Sequence, residues 1–210
     1  MIVAYEFFDK DTKENLNYTV SDRLSAILGD WKERNKEDDI KKYQRYLDRF
    51  NPDCKNKIVL DIGCGAWGGI LPLIEAEKKI AIDSLIRGFK ELGIFDYDGE
   101  YLDNNAEQIN LPDNYADVVF CLNTLDHCFD VETPPRIIKE ILRILKIGGL
   151  LYIHTHLRNS EQLNLMHFYG IEEKDLNRWI TDFKKIRWEI CDNDYVWERP
   201  YNTFWGILEK

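Results

Sequence analysis

Three glycines, Gly63, Gly65 and Gly68, are flanked by an acid on each side: Asp61 just before them and Asp83 twenty residues after Gly63. Glycine at this spacing permits a tight turn and lets backbone N–H groups approach a ligand closely, provided that a strand precedes the turn and a helix follows. Asp83 falls at the end of a second apolar segment, where a carboxylate can accept both hydroxyls of a ribose. Its plainer role is to cap the next helix. Asp61 reads either as a brace for loop N–H groups or as a counter-charge for a cationic ligand.

A second chemical cluster lies downstream in "NTLDHCFD", Asn123 to Asp130. His127 has an intrinsic pKa suited to taking a proton near neutrality, and Asp126 beside it can orient a ring or cap a helix. His154 and His156 alternate in "YIHTH" and share one face of a strand. His156, Arg158, Asn159 and His167 are the candidates for substrate contact, in and after that strand. None of the histidines has the i, i+4 spacing of a helical metal site, so no metal is assigned.

The elements that must position these residues follow from hydrophobic period. "SDRLSAILGDWKER" predicts a helix with Leu24, Ile27, Leu28 and Trp31 on one face, and "KEDDIKKYQRYLDRF" one with Ile40, Tyr43, Leu47 and Phe50. Short apolar strands then alternate with helices: "KIVLDI", a helix over "GILPLIEAE", "KKIAID", a helix over "SLIRGFKEL", "GEYLD", "ADVVFCL", a helix over "ETPPRIIKEILRILK", and "GGLLYIHT". This alternation predicts a parallel sheet covered on both faces. A last helix over "EEKDLNRWITDFKKI" leads to "RWEICDN", "DYVWER" and "NTFWGILEK", read as strands with antiparallel pairing at the sheet edge.

The 210 residues carry a formal net charge of −10, which argues against a nucleic-acid partner. "MIVAYEFFDK" has no basic segment ahead of an apolar run, and no apolar run approaches the ~20 residues of a membrane helix. With five cysteines and no C-x-x-C pair, the reading is a cytoplasmic protein with reduced thiols. The glycine spacing alone leaves two nucleotides open, NAD and S-adenosylmethionine. Asp61 favours the second, because a carboxylate there suits a sulfonium and repels a pyrophosphate.

From Lys57 to Thr155 the chain resembles a class I S-adenosylmethionine-dependent methyltransferase. "VLDIGCG" is similar to the family's first motif and "IAIDSL" to its second; "NNAEQINLPDNYADVVFCLNTLDHCFD" resembles the stretch across the third and fourth strands, and "EILRILKIGGLLYI" the segment that follows. A narrower likeness is to methyltransferase type 11-like proteins with an Asn-x-Leu-Asp-His fourth motif. Three departures stand out: the third loop glycine is displaced, leaving Trp67 in its usual place; Asn105 replaces an acid; Ile147 replaces a proline.

The resemblance implies a Rossmann-like α/β methyltransferase fold: a mostly parallel seven-stranded sheet, helices on both faces and an antiparallel C-terminal hairpin. It implies a helical cap over residues 1–52 and the methyltransferase domain over 53–210. Asp61, Gly63, Gly65 and Gly68 would surround the methionine part of S-adenosyl-L-methionine, and Asp83 would hold the ribose. Ser84, Leu85, Asn105, Ala106 and Glu107 would border the adenine, and Asn123 the sulfonium and ribose. The expected reaction is O- or N-methylation of a small molecule such as a carbohydrate or secondary metabolite, leaving S-adenosyl-L-homocysteine, with His127 and Asp126 as catalytic candidates. The rivals are an NAD(P)-dependent oxidoreductase and a non-catalytic binding subunit, the latter if Trp67 fills the methionine pocket. Trp67 is expected to turn toward the N-terminal helices instead.

Overall fold

The computed structural model describes residues 4–9, 14–128, 130–158, 170–194 and 201–210. Strands β1 (Ala4–Asp9) and β2 (Glu14–Thr19) pair antiparallel as a separate ribbon, followed by helices α1 (Val20–Glu33) and α2 (Lys36–Phe50). The region expected as a helical cap thus begins with a hairpin ahead of its two helices. Asn35 caps α2 by accepting the Glu37 N–H, and Asn51 ends it in the left-handed conformation.

The central sheet consists of β3 (Ile58–Ile62), β4 (Lys78–Ile82), β5 (Glu100–Leu102), β6 (Ala116–Leu122), β7 (Leu145–Leu157), β8 (Lys184–Asp194) and β9 (Tyr201–Glu209). Its order is β5-β4-β3-β6-β7-β9-β8. The first five strands in that order are parallel, and β9 pairs antiparallel with both β7 and β8. This is the expected Rossmann-like methyltransferase sheet with its antiparallel edge. The segment 195–200, covering most of "DYVWER", lies outside the described residues.

Side chains alternate along β6. Val119 and Cys121 join a core with Ile137, Ile138 and Ile141 of α4 (Thr133–Ile144) and Leu176 of α5 (Glu173–Trp179). Val118, Phe120 and Leu122 face Tyr43, Tyr46 and Phe50 of α2. The sheet is therefore covered on both faces, as continuous apolar strands require. A third, smaller cluster joins Trp31 of α1 and Phe89 of α3 (Ile86–Glu91) to Ala66 and Trp67.

Two expectations fail. The helix expected over "GILPLIEAE" is absent: only short 3-10 turns form, at Gly65–Trp67 and Leu71–Leu73. Gly68 and Gly69 both have positive φ, at 74° and 58°, and Pro72 follows, so helical hydrogen bonding cannot propagate. The buried face of α2 is also rotated from the expected one: Ile40 is exposed, while Asp39 and Lys42 are buried beside Tyr43, Tyr46 and Phe50.

The chain runs from β3 outward to β4 and β5, then crosses back to β6. In open α/β sheets such a reversal leaves a crevice beyond the carboxyl ends of the strands.

Candidate functional site

A cavity of about 570 Å³ opens at that crevice, a volume in the range of small-molecule sites. Its floor is made at the ends of β3, β4 and β6. Gly63, at φ +75°, donates its N–H to the Ile82 carbonyl at 2.8 Å. A Cβ there would overlap the Thr124 side chain, whose hydroxyl is held by the Ile62 carbonyl at 2.9 Å. Glycine is required here by both conformation and space.

Asp83 lines the same cavity. Its two carboxylate oxygens accept the Gly65 and Leu85 N–H groups, each at 2.9 Å, and so tie the glycine loop to the end of β4. Burial raises its pKa, opposed by these two hydrogen bonds. Asp83 is not the N-cap of α3, a position that Leu85 holds, and its carboxylate keeps lone pairs beyond the two it uses. Ser84 and Leu85 follow it in the wall, which also includes Asn105, Ala106 and Glu107. Asn105 closes a turn by accepting the Glu107 N–H at 3.1 Å, and Glu107 pairs with Arg136 of α4.

Asn123 ends β6 at φ 56°, its N–H donated to the His154 carbonyl at 2.8 Å. Its side-chain nitrogen lies 3.5 Å from His127 Nε2. Its Oδ1 is buried and accepts no hydrogen bond from the described residues. A buried acceptor without a donor is costly, and this one borders the cavity. The site thus holds a carboxylate, Asp83, and a buried amide acceptor beside an imidazole, which fits an adenosine-bearing ligand.

A family model described as a methyltransferase domain matches residues 60–153. A ubiquinone biosynthesis O-methyltransferase of Pseudomonas entomophila is 33% identical over 141 residues, covering 62% of this chain and 58% of that one. A probable S-adenosylmethionine-dependent methyltransferase of Mycobacterium tuberculosis is 28% identical over 164 residues, 72% of this chain and 57% of that one. The chain thus spans somewhat under two thirds of the length of these curated relatives. Among solved structures, the 1,6-didemethyltoxoflavin-N1-methyltransferase of Burkholderia thailandensis, bound to 1,6-didemethyltoxoflavin and S-adenosylhomocysteine, superposes with a TM-score of 0.63. It is 11% identical, with 89% of this chain and 86% of that one covered, a likeness of fold. Residues 60–153 are thus similar to the domain of S-adenosylmethionine-dependent methyltransferases.

Several expected site residues do not border the cavity. Asp61 is buried, and its Oδ2 accepts the Ile70 N–H at 2.9 Å. Burial lifts its pKa to about 7, and only a glycine at position 69 leaves room for that carboxylate. Asp61 thus braces the loop and does not line the cavity. Gly65 and Gly68 are covered by aromatic rings: a Cβ at either would overlap Trp31 or Tyr97 respectively. Trp67 meets Trp31 edge-on, with ring centroids 5.2 Å apart. Its ring faces α1, and the cavity wall does not include it.

Asp126 and His127, adjacent in sequence, point to different places. His127 faces the cavity, whereas Asp126 is buried with its Oδ2 3.1 Å from His156 Nδ1 and 3.9 Å from an Arg158 nitrogen. In the 3-10 turn Leu125–His127, successive side chains diverge by roughly 120°. His156 and Arg158, expected at the substrate, are therefore interior partners of Asp126. Burial holds His154, packed on Tyr46 and Trp205, well below the usual imidazole range. Asn159 and His167 lie outside the described residues.

The cap side of the cavity holds residues that the motifs do not reveal: Arg34, Lys42 and Tyr43, with Leu24, Ile27 and Trp31 of α1. The available signal was Asp39 and Lys42, an i, i+3 charge pair in line with Tyr46 on the aromatic face of α2. Among the described residues no group of three or more His, Cys, Asp or Glu side chains is placed to hold a metal ion, and no helix is long and apolar enough to cross a membrane.

Proposed function

We propose that the chain moves a methyl group from S-adenosylmethionine to a small-molecule acceptor, at oxygen in the first instance. The observation that carries this reading is the single cavity wall on which Asp83, Asn105, Asn123 and His127 meet at the strand ends. When bound, S-adenosylmethionine supplies an electrophilic methyl on a sulfonium. In this reading Asp83 accepts the ribose hydroxyls, Ser84, Leu85, Asn105, Ala106 and Glu107 border the adenine, and the Asn123 Oδ1 receives a donor from the ligand.

His127 takes the proton of an acceptor hydroxyl. The neighbouring Asn123 side chain, its nitrogen 3.5 Å from Nε2, helps to orient the ring, and the proton is taken at whichever ring nitrogen carries no hydrogen. Helices α1 and α2 act as a cap. Trp31, seated on Gly65 and against Trp67, holds α1 onto the glycine loop and helps to keep water from the transfer. The name of the O-methyltransferase relative supports oxygen as the acceptor atom. Calorimetric titration with S-adenosylhomocysteine tests the reading. Saturable binding at one site is expected; no heat overturns it.

A further inference from the structure

We infer that Asp126 is a positioning residue: anchored at the end of β7, it aims the adjacent His127 into the cavity. This rests on the role given to His127 above. Beyond β6 the chain is fastened first by the Asn123 N–H, donated to the His154 carbonyl at 2.8 Å, and then by the Thr124 hydroxyl, donated to the Ile62 carbonyl at 2.9 Å. Both ties precede the 3-10 turn Leu125–His127. Within the turn, Asp126 supplies a tie of another kind. Its Oδ1 accepts the Thr155 hydroxyl at 3.4 Å, and its Oδ2 lies 3.1 Å from His156 Nδ1 and 3.9 Å from an Arg158 nitrogen. All four residues are buried, none more than 7% exposed.

Leu125, fully buried, already gives the turn an apolar anchor. Packing of one aliphatic side chain sets depth but leaves the turn free to roll. A carboxylate met by groups of three residues does not, because hydrogen bonds are directional and a buried network specifies one arrangement. Burying a carboxylate and a guanidinium also carries a desolvation cost that apolar side chains of similar volume avoid, so stability alone is a poor reason for the cluster. Direction is what the cluster adds. Successive side chains of such a turn diverge by roughly 120°, so holding Asp126 toward β7 fixes where His127 points. His127 borders the cavity, with Nε2 3.5 Å from the Asn123 amide nitrogen. Rolling it out of the cavity would pull the Asp126 carboxylate away from Thr155 and His156.

The test follows carbethoxylation of His127 by diethyl pyrocarbonate in the full chain at pH 7, resolved by peptide mass spectrometry, with S-adenosylhomocysteine affinity measured by calorimetry. At ten times its Kd, S-adenosylhomocysteine should slow the wild-type reaction at His127 about tenfold, since about one site in eleven stays open. Binding without any slowing overturns the inference. The triple variant Asp126→Leu, His156→Leu, Arg158→Met replaces the cluster by apolar side chains and should melt close to wild type. In it the protection should fall below about twofold while S-adenosylhomocysteine affinity stays within about threefold. Asp126→Asn, whose amide can accept from His156 and donate to the Thr155 hydroxyl, should keep most of the protection. Protection that survives the triple variant overturns the inference and leaves the methyltransferase reading intact. Protection lost together with S-adenosylhomocysteine affinity also overturns it, because the cluster would then support the cavity as a whole. No binding of S-adenosylhomocysteine to wild type overturns the methyltransferase reading instead; the inference is then judged by the His127 rate without ligand, and an equal rate in the triple variant overturns it. Should the triple variant fail to fold, Thr155→Val with His156→Leu, which withdraws the two nearer groups and leaves Arg158 beside the carboxylate, is judged by the same criteria.

Discussion

The floor and the cap of the cavity are built on different principles. The floor, at the ends of β3, β4 and β6, is made of turns in which a side chain binds backbone a few residues away: Asp83 to Leu85, Asn105 to Glu107, Thr124 to Leu122. The cap is made of long side chains brought together by packing, such as Trp31 on Gly65 and against Phe89. The floor is fixed by local geometry and suits a part of the ligand that does not vary. The cap depends on how α1 and α2 dock, and suits the part that sets specificity.

The comparison is broken most sharply at His127, the one floor residue read as a catalyst. His127→Ala is expected to lower kcat by 10²–10⁴-fold, as for loss of a general base, while S-adenosylhomocysteine affinity stays within about threefold. Full turnover in steady-state assays removes the base role and points to a nitrogen acceptor. Next is Asp83→Ala, which removes both anchors of the loop along with the ribose acceptor. Its loss in S-adenosylhomocysteine affinity by calorimetry should be at least about 10²-fold, since two hydrogen bonds to a charged group at about 1.5 kcal/mol each come to about 3 kcal/mol.

Trp31→Ala examines the cap. Loss of the contacts with Trp67 and Phe89, at 5.2 and 5.3 Å between centroids, should raise the KM for the acceptor about tenfold more than it raises that for the cofactor. A larger effect on the cofactor would place Trp31 in the floor's machinery. The smallest effect concerns the brace. The Asp61 pKa is raised from 3.8 to about 7, chiefly by burial. The fold therefore favours the protonated form: this contribution to stability is full below about pH 4 and is lost as pH rises through 7. Thermal melts of wild type should fall by a few degrees across that window relative to Asp61→Asn, whose amide oxygen can still accept the Ile70 N–H.

Legibility in the sequence follows the same division. The strands and most helices were readable because alternation and the 3.6-residue period are local, and Asp83 and Asn123 stand at strand ends that those patterns define. Asp61 was readable as an acid near the loop, but its direction was not. That direction depends on Gly69 and Ile70, which close over it only once the expected helix fails to form. The interior pairing of Asp126 with His156 joins residues thirty apart, through a strand register that no local pattern states. Lys42 was missed for a physical reason: hydropathy assigns charges to the solvent face, and here Ile40 took that face while the lysine turned inward.

The two 3-10 turns after the glycine loop have a consequence for which nucleotides the protein can discriminate. A dinucleotide fold holds pyrophosphate at the first turn of a long helix, where aligned peptide dipoles and free N–H groups meet the negative charge. Turns of three residues at Gly65–Trp67 and Leu71–Leu73 supply little of that field, and the Gly65 N–H is already given to Asp83. The backbone at this loop therefore offers little to hold a pyrophosphate. NADH, although it carries the same adenosine, should compete poorly with S-adenosylhomocysteine in the same calorimetric cell.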